Sequence, residues 1–411
     1  LEVTFGPDEP YSVDPVPRVI GRQEWKLVAD GLGQRLRAVV AFLEDSYTGR
    51  EAVAAGVIPG RVLDDSLYFE PLAGEADAFR RGALIAGPDL IRSPSGELLV
   101  VEDNLRTPSG MAYALAARDA VTSNPDLPVP SIADPSDAIE QFGKLFRTAD
   151  PSASDDPGVA ILSDGPDSKA WFEHREMAKR IRVPIVTPDQ LRVDEGILFA
   201  DHGKGAGRID VLYNRSSQES LRDREGNLSP LGKVLAGPLD EGRLSCVNPF
   251  GSGLADDKAV HCYMDRLITF YLYEEPLLRS VPGFDLGDPE HLQTALERLD
   301  ELVIKPRFSF GGQGIVLGPR STTDELDTIR ERVAASPADF VAQELVDFSV
   351  HPTACGDGFE QRRVDLRAYV MSGPAGTGTL PLALTRFAGE PGELVVNSTQ
   401  GGGCKDTWIL S

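Results

Sequence analysis

ALIAGPDLIRSPSGELLVVEDNLRTPSG, residues 83–110, reads as two strands joined by a tight turn. The first is apolar through Ile91, and Ser93-Pro94-Ser95-Gly96 supplies the turn chemistry. The second is apolar from Leu98 to Val101 and then abruptly acidic. Paired as a hairpin, the strands set Asp89 opposite the acidic end of the second. Glu102 and Asn104 are two apart and so share one face. Two carboxylates and an amide oxygen then converge on one small volume. Such hard oxygen ligands on a rigid sheet suit Mg²⁺ in a nucleotide site. The competing reading is an acidic strand end that faces water.

The whole chain, 411 residues, is long enough for two or three subdomains. Its net charge of -23 argues against nonspecific nucleic-acid binding or an anionic membrane surface as the main partner. A local basic pocket for phosphates remains compatible with that charge. Cys246, Cys262, Cys355 and Cys404 form no CxxC pair, so neither a zinc site nor a disulfide framework is signalled, and a cytoplasmic location is expected. No apolar run approaches membrane-spanning length.

Residues 1–60 read as mostly helical after a polar entry, with Trp25, Leu27, Val28, Leu32, Leu36, Val39, Val40 and Leu43 at helical spacing. A break at 152–158 precedes alternating strands and helices, starting with Val159-Ala160-Ile161-Leu162, that argue a small parallel sheet. The expected division is 1–150, 151–250 and 251–411. Ala255–Tyr273 reads as one long helical stretch carrying Lys258, and Leu394–Asn397 as a late strand.

A strand running into Lys305 is followed at once by Ser309 and by Gly311, Gly312 and Gly314. Glycines let backbone N–H groups close on phosphate oxygens, and a lysine adds a point charge. The lysine precedes the glycines, so this is not a Walker A loop; a Gly-rich hairpin with a surface lysine is the alternative. Gln343-Glu344-Leu345 ends an apolar strand and could offer backbone groups and a carboxamide to an adenine edge. Asp365 and Arg367 share one strand face, with Arg386 ending a later strand. They read either as a structural salt bridge or as positive charge placed for phosphoryl transfer. His174 and His261 have no metal-ligand partner at useful spacing and read as structural or substrate-shell residues.

Five stretches carry a resemblance: EDNLRTPSG at 102–110, NPFGSGLADDKA at 248–259, VIKPRFSFGGQGIVLGP at 303–319, RRVDLRAYV at 362–370 and VVNSTQGGGCKDTW at 395–408. In these the chain resembles the circularly permuted ATP-grasp family (type 2), related in arrangement to glutathionylspermidine synthetase. The metal-ligand hairpin precedes the lysines and glycine loop, the reverse of ordinary ATP-grasp ligases. The resemblance implies an α/β fold of α+β lobes, a circularly permuted ATP-grasp with an inserted small parallel-sheet substrate-side domain. It implies ATP and Mg²⁺ as cofactors, with Lys258 and Lys305 on phosphates and Gly311, Gly312 and Gly314 as a lid. Gln343, Glu344 and Leu345 would line the adenine pocket, and Ser309 and Asn397 would assist nucleotide binding. Asp89, Glu102 and Asn104 would hold metal. Arg106, Arg367 and Arg386 would stabilise an acyl phosphate or bind the substrate carboxylate, with Asn214-Arg215 as a substrate-side contact. The implied activity is ATP-dependent carboxylate–amine ligation of small-molecule or peptide substrates, releasing ADP and phosphate. A phosphotransferase on the same site and a non-catalytic ATP-binding or scaffold protein are the alternatives. The N-terminus looks short for the family, so a leading segment is expected before Leu1. If the permutation holds, Asp89, Glu102 and Asn104 must meet Lys305 across one cleft.

Overall fold

A computed structural model describes the chain except residues 1–3, 6–8, 76–78, 80–82, 202–205, 219, 224–225, 310–311 and 397–401. Its centre is a nine-stranded sheet. Along the sheet run Arg279–Ser280, Leu98–Glu102, Asp89–Arg92, Gly358–Gly373, Gly376–Phe387, Gly403–Ile409 and Ser12–Ile20, while Leu84–Ala86 and Val350–Cys355 also pair with Gly358–Gly373. Strands from both ends of the chain thus share one sheet. The 83–110 hairpin joins the strands carrying Asp365, Arg367 and Arg386, which is the arrangement a permuted chain requires. Its turn closes with the Ser93 N–H on the Glu97 carbonyl at 2.8 Å, and Gly96 takes φ +88°, a conformation glycine adopts without a steric cost.

Alternation along Gly358–Gly373 explains the two cores. Leu366, Ala368 and Val370 face a core shared with helix Arg22–Ser46, whose Val28, Leu32, Leu36, Val39 and Leu43 are all buried. Tyr369 and Met371 face the opposite core, with helices Met111–Thr122 and Pro135–Thr148. Of the stripe expected on the first helix, Leu27 is exposed and Trp25 and Val40 are half-buried.

Two expectations need correcting and a third extending. The polar entry to the N-terminal region is itself structured, because Ser12–Ile20 is a strand parallel to Gly403–Ile409. Pro15 and Pro17 disguise it; they lack N–H donors, and the strand lies at the sheet edge where that loss is tolerated. The stretch 255–273 is not one helix. It is a 3₁₀ turn at Ser252–Asp256, a short helix Lys258–His261 and a helix Met264–Leu272. Asp257 breaks it by taking an extended conformation and capping the Ala259 N–H at 3.0 Å. Residues 394–396 form no strand, and the last strand of the chain is Gly403–Ile409.

Two smaller units flank the sheet. A four-stranded sheet of Gly283–Asp285, Phe340–Glu344, Leu302–Pro306 and Val316–Leu317 carries Lys305. A parallel sheet of Ser245–Val247, Val211–Arg215, Val159–Ser163 and Ile185–Val186 lies between the two halves of the main sheet in sequence. Leu191–Asp194, Ile197–Asp201 and Ala206–Ile209 stand outside that parallel sheet and form a separate antiparallel trio.

Candidate active site

One cleft of about 800 Å³ opens where these units meet. Its lining includes Asp89, Glu102 and Asn104 from the hairpin, Arg106 just beyond it, and Asp365, Arg367 and Arg386 from the long strands. Lys305, Ser309, Gly312, Gln343, Glu344 and Leu345 line it from the small lobe. Lys258 does not line this cleft; it lies in a small adjoining cavity that Glu102 and Lys305 also border, 3.4 Å from a Glu102 oxygen. Gly311 and Asn397 lie outside the described residues.

The hairpin register puts Asp89 across from Glu102, with a bulge between Asp89 and Leu90. Asp89 is buried, and both its oxygens meet arginines. Arg367 holds them through Nε and Nη2, each at 2.7 Å, and Arg386 Nη2 adds a contact at 2.8 Å. Burial alone would push the Asp89 carboxyl up; Arg367 and then Arg386 outweigh it and hold it below the usual carboxylate range. Arg386 also donates through Nε to both oxygens of Asp365, at 3.0 and 3.1 Å, while burial pushes the Asp365 carboxyl up. The pairing foreseen on the strand face is therefore a chain, Arg367–Asp89–Arg386–Asp365. Both arginines are bound to carboxylates and still line the cleft.

A carboxylate has about four lone-pair sites. Arg367, Arg386 and a 3.4 Å contact from the Asn104 amide occupy most of those on Asp89. Glu102 carries no such load, and its side chain is 30% exposed towards the cleft. The Asn104 amide nitrogen donates to the Gly87 carbonyl at 3.1 Å, which leaves its oxygen for another partner. Glu102 and Asn104, with the remaining lone pair of Asp89, form an all-oxygen donor set that fits Mg²⁺. No group of three His, Cys, Asp or Glu side chains suited to a metal occurs among the described residues; this set contains only two carboxylates.

Lys305 is buried. Burial pushes its ammonium down, while Glu102 draws it back up. The Gln343 carboxamide accepts from Lys305 and donates to the Val101 carbonyl at 3.0 Å. It is therefore committed to orienting the lysine, because a buried ammonium needs an acceptor. The carboxamide expected on an adenine edge thus spends one N–H and one lone pair on protein partners. Glu344 likewise turns away, in a bidentate pair with Arg298 at 2.8 and 2.9 Å. This end of the cleft is instead apolar, lined by Ile91, Val281, Val303, Leu317 and Phe348. Gly312 and Gly314 both take left-handed φ, +74° and +73°, which glycine adopts without a steric cost. Lys258 donates to the Ser309 carbonyl, and the Ser309 hydroxyl donates to that of Pro306 at 3.0 Å. Arg106 stacks over Tyr68 at 4.4 Å, and Asp256 accepts from its N–H at 2.9 Å.

Two supports escaped the sequence reading. Asp103, between Glu102 and Asn104, points into the protein and meets Arg35 Nε and Nη2 at 2.7 and 2.8 Å and His261 Nδ1 at 2.9 Å. Strand alternation predicts the inward turn, and a buried carboxylate demands a cation; nothing local says which one. Arg307 and Asp257, both fully buried, likewise pin the strand of Lys305 beside the helix of Lys258.

On the far side, the turn 107–110 is held from two directions. Arg367 donates to the Ser109 carbonyl at 3.1 Å, and Arg215 to the Pro108 carbonyl at 2.7 Å and to the Ser109 hydroxyl. Glu173 receives the N–H groups of Gly110 and Ala112 at 3.0 and 3.1 Å. Its neighbour His174 is buried against Ser163, 2.8 Å away. Burial, with Arg215 adding to it, pushes the imidazole down to about 3. The unfolded chain takes up that proton near 6.5 and the folded one only near 3, so stability from a neutral His174 is complete above about 6.5 and lost as pH falls towards 3, at about 1.4 kcal/mol per pH unit. His174→Gln is expected to flatten the acid limb of a urea-denaturation series between pH 6.5 and 4; an unchanged slope contradicts a neutral buried histidine.

The chain belongs to the circularly permuted ATP-grasp type 2 family, whose model matches residues 17–388. Among its relatives, a Frankia alni protein named "Putative glutamate--cysteine ligase 2-3" is 41% identical over 97% of this chain and 47% of its own length. A Frankia casuarinae protein named "Putative glutamate--cysteine ligase 2-2" is 40% identical with the same coverage, so the chain spans about half the length of these two. A Synechocystis protein without an assigned role is 36% identical over 100% of this chain and 88% of its own. A solved structure of a glutathione synthetase-like effector from Globodera pallida shares the fold, with TM-score 0.62 at 11% identity over 98% of this chain and 91% of that one. Among the described residues no helix is long and apolar enough to cross a membrane.

Proposed function

We propose that this chain is an ATP-dependent ligase that joins a carboxylate to an amine through an acyl phosphate, releasing ADP and phosphate. The observation that carries the reading is one cleft lined together by Glu102, Asn104, Lys305, Arg367 and Arg386, with Lys258 behind Glu102 at 3.4 Å. In this reading the apolar end takes the adenine and the lysines take the phosphates. Glu102 and Asn104, with Asp89 sharing, hold Mg²⁺, which when bound offsets the phosphate charge. A substrate carboxylate oxygen attacks the γ-phosphorus as the bond to the ADP oxygen breaks. The amine then attacks the acyl carbon, phosphate leaves, and the amine loses a proton. Arg367 and Arg386 are already oriented by Asp89 and Asp365, so they meet the developing negative charge without reorganising. Residues 151–250 serve as the substrate-side unit, and Arg106, which lines the same cleft, is a third arginine for the acyl phosphate or the substrate carboxylate.

The names of the Frankia relatives favour amino-acid substrates, and glutamate with cysteine is the first pair to supply. The nucleotide product is expected to be ADP with free phosphate. Adding hydroxylamine with the right carboxylate should trap a hydroxamate. Stoichiometric AMP would place the protein in an adenylating class, and a stable phosphorylated product in the phosphotransferase class. Binding of ATP without turnover on any acid–amine pair would leave the scaffold reading.

A further inference from the structure

In the parallel sheet, Val159–Ser163 pairs on one side with Ile185–Val186 and on the other with Val211–Arg215. The chain leaves the first strand to one side and returns on the other. This makes a topological switch point between Val159–Ser163 and Val211–Arg215. Ligands of open parallel sheets bind outside the carboxyl ends of the strands at such a point. Here those ends open into the cleft. Asp164 follows the first strand and Ser216 the second, and both line the cavity together with Ser168 and Lys169.

The chemistry there carries both signs. Asp164 accepts from the Ser216 hydroxyl at 2.6 Å and the Ser217 N–H at 2.7 Å. Those two donors fix the carboxylate and leave lone pairs for a cation. Lys169 stands just before helix Trp171–Ile181, which has no side-chain cap at its N-terminus. A lysine and the uncapped start of a helix together favour a carboxylate. Glu173 in the first turn accepts from Gly110 and Ala112, so its oxygens turn away from the helix start, and the charge it carries is opposed by Arg215. Buried Arg215 adds positive charge behind the site, and Asp167 lines the same cavity. This end contrasts with the apolar wall near Phe348.

We propose that the switch point of the parallel sheet binds the zwitterionic end of a free amino acid or short peptide, Asp164 taking the ammonium and Lys169 with the helix start taking the carboxylate. Calling that ligand a co-substrate rests on the ligase reading; its binding does not. Arg215 joins the site to the reacting centre, because the Pro108–Ser109 turn that it grips is the one gripped by Arg367.

The test is calorimetric titration of the full chain, saturated with Mg²⁺ and a non-hydrolysable ATP analogue, with L-glutamate, L-cysteine and glycylglycine. Each probe is also supplied N-acetylated and C-amidated. At least one free probe is expected to bind, and capping either end should weaken it about tenfold or more. Asp164→Asn should erase the discrimination against the N-acetyl form and Lys169→Ala that against the amide, with nucleotide affinity unchanged in both. The proposal is overturned if no free probe binds, if capped and free forms bind alike, or if both variants discriminate as the wild type does. ADP release on the same probes separates the two readings. Binding that follows this pattern without turnover on any acid–amine pair supports the site and removes the ligase reading. Turnover indifferent to both substitutions removes the site and leaves the ligase.

Discussion

Glu102→Gln is expected to fold normally and to lose ATP turnover about a hundredfold or more, and Asn104→Ala to behave alike. Neither side chain carries the sheet. Glu102 is partly exposed to the cleft, 3.4 Å from Lys258, and the strand beneath it is held by Asp103. The lost group is one of few carboxylates beside the lysines that no arginine occupies, since Asp89 is held by Arg367 and Arg386. Without it, phosphate charge goes uncompensated during transfer, a loss of several kcal/mol in transition-state stabilisation. ADP release titrated against Mg²⁺, beside a circular dichroism melt, separates chemistry from folding. Turnover near wild type in both variants would sink the metal assignment and leave the acidic strand end as a solvated edge.

The hairpin was readable because its signals are local. A Ser-Pro-Ser-Gly turn, a run of apolar residues and a period of two place Asp89 opposite Glu102, and the register agrees. Local signals also mislead. The apolar spacing of 255–273 suits one helix, but Asp257 caps a new one and Arg307, 50 residues on, fixes it there. Ser12–Ile20 reads as irregular because of its prolines, and only the partner strand at the other end of the chain makes it a strand. The same limit governs the site. Which charged residues would surround the cleft follows from motifs, but what each one does with its polar atoms is settled by neighbours far away in sequence. Gln343 bonds Lys305, 38 residues earlier, and Glu344 pairs with Arg298. Neither choice is written in Gln-Glu-Leu itself.

Arg35→Met is expected to cost about 3–5 kcal/mol, because it strands a buried carboxylate. In the native protein burial pushes the Asp103 carboxyl up, but Arg35, with His261 adding to it, holds it well below the usual range. A depressed folded value means that this stability is present above about pH 4 and is lost only as acid reaches the folded value. Removing Arg35 reverses the sign. Asp103 remains fully buried, 2.9 Å from His261, with its largest favourable partner gone, and its carboxyl rises above the unfolded value. The variant's deficit should then be largest near neutral pH and shrink as pH falls towards 4. Replacing both partners, Arg35→Met with Asp103→Leu, should recover most of the loss, since an apolar pair leaves no charge to compensate. Urea denaturation of the two variants at pH 7.5 and 5 measures all three statements. The substitution also reaches the cleft, because Asp103 fixes the strand from which Glu102 and Asn104 project. Arg35→Met should raise the Mg²⁺ concentration needed for half-maximal turnover, while the double variant, lacking the same anchor, should regain stability without regaining that affinity. An Arg35→Met protein as stable as the wild type, or a deficit that grows with acid, would show that Asp103 is not held as a buried anion and that the strand owes its position to packing alone.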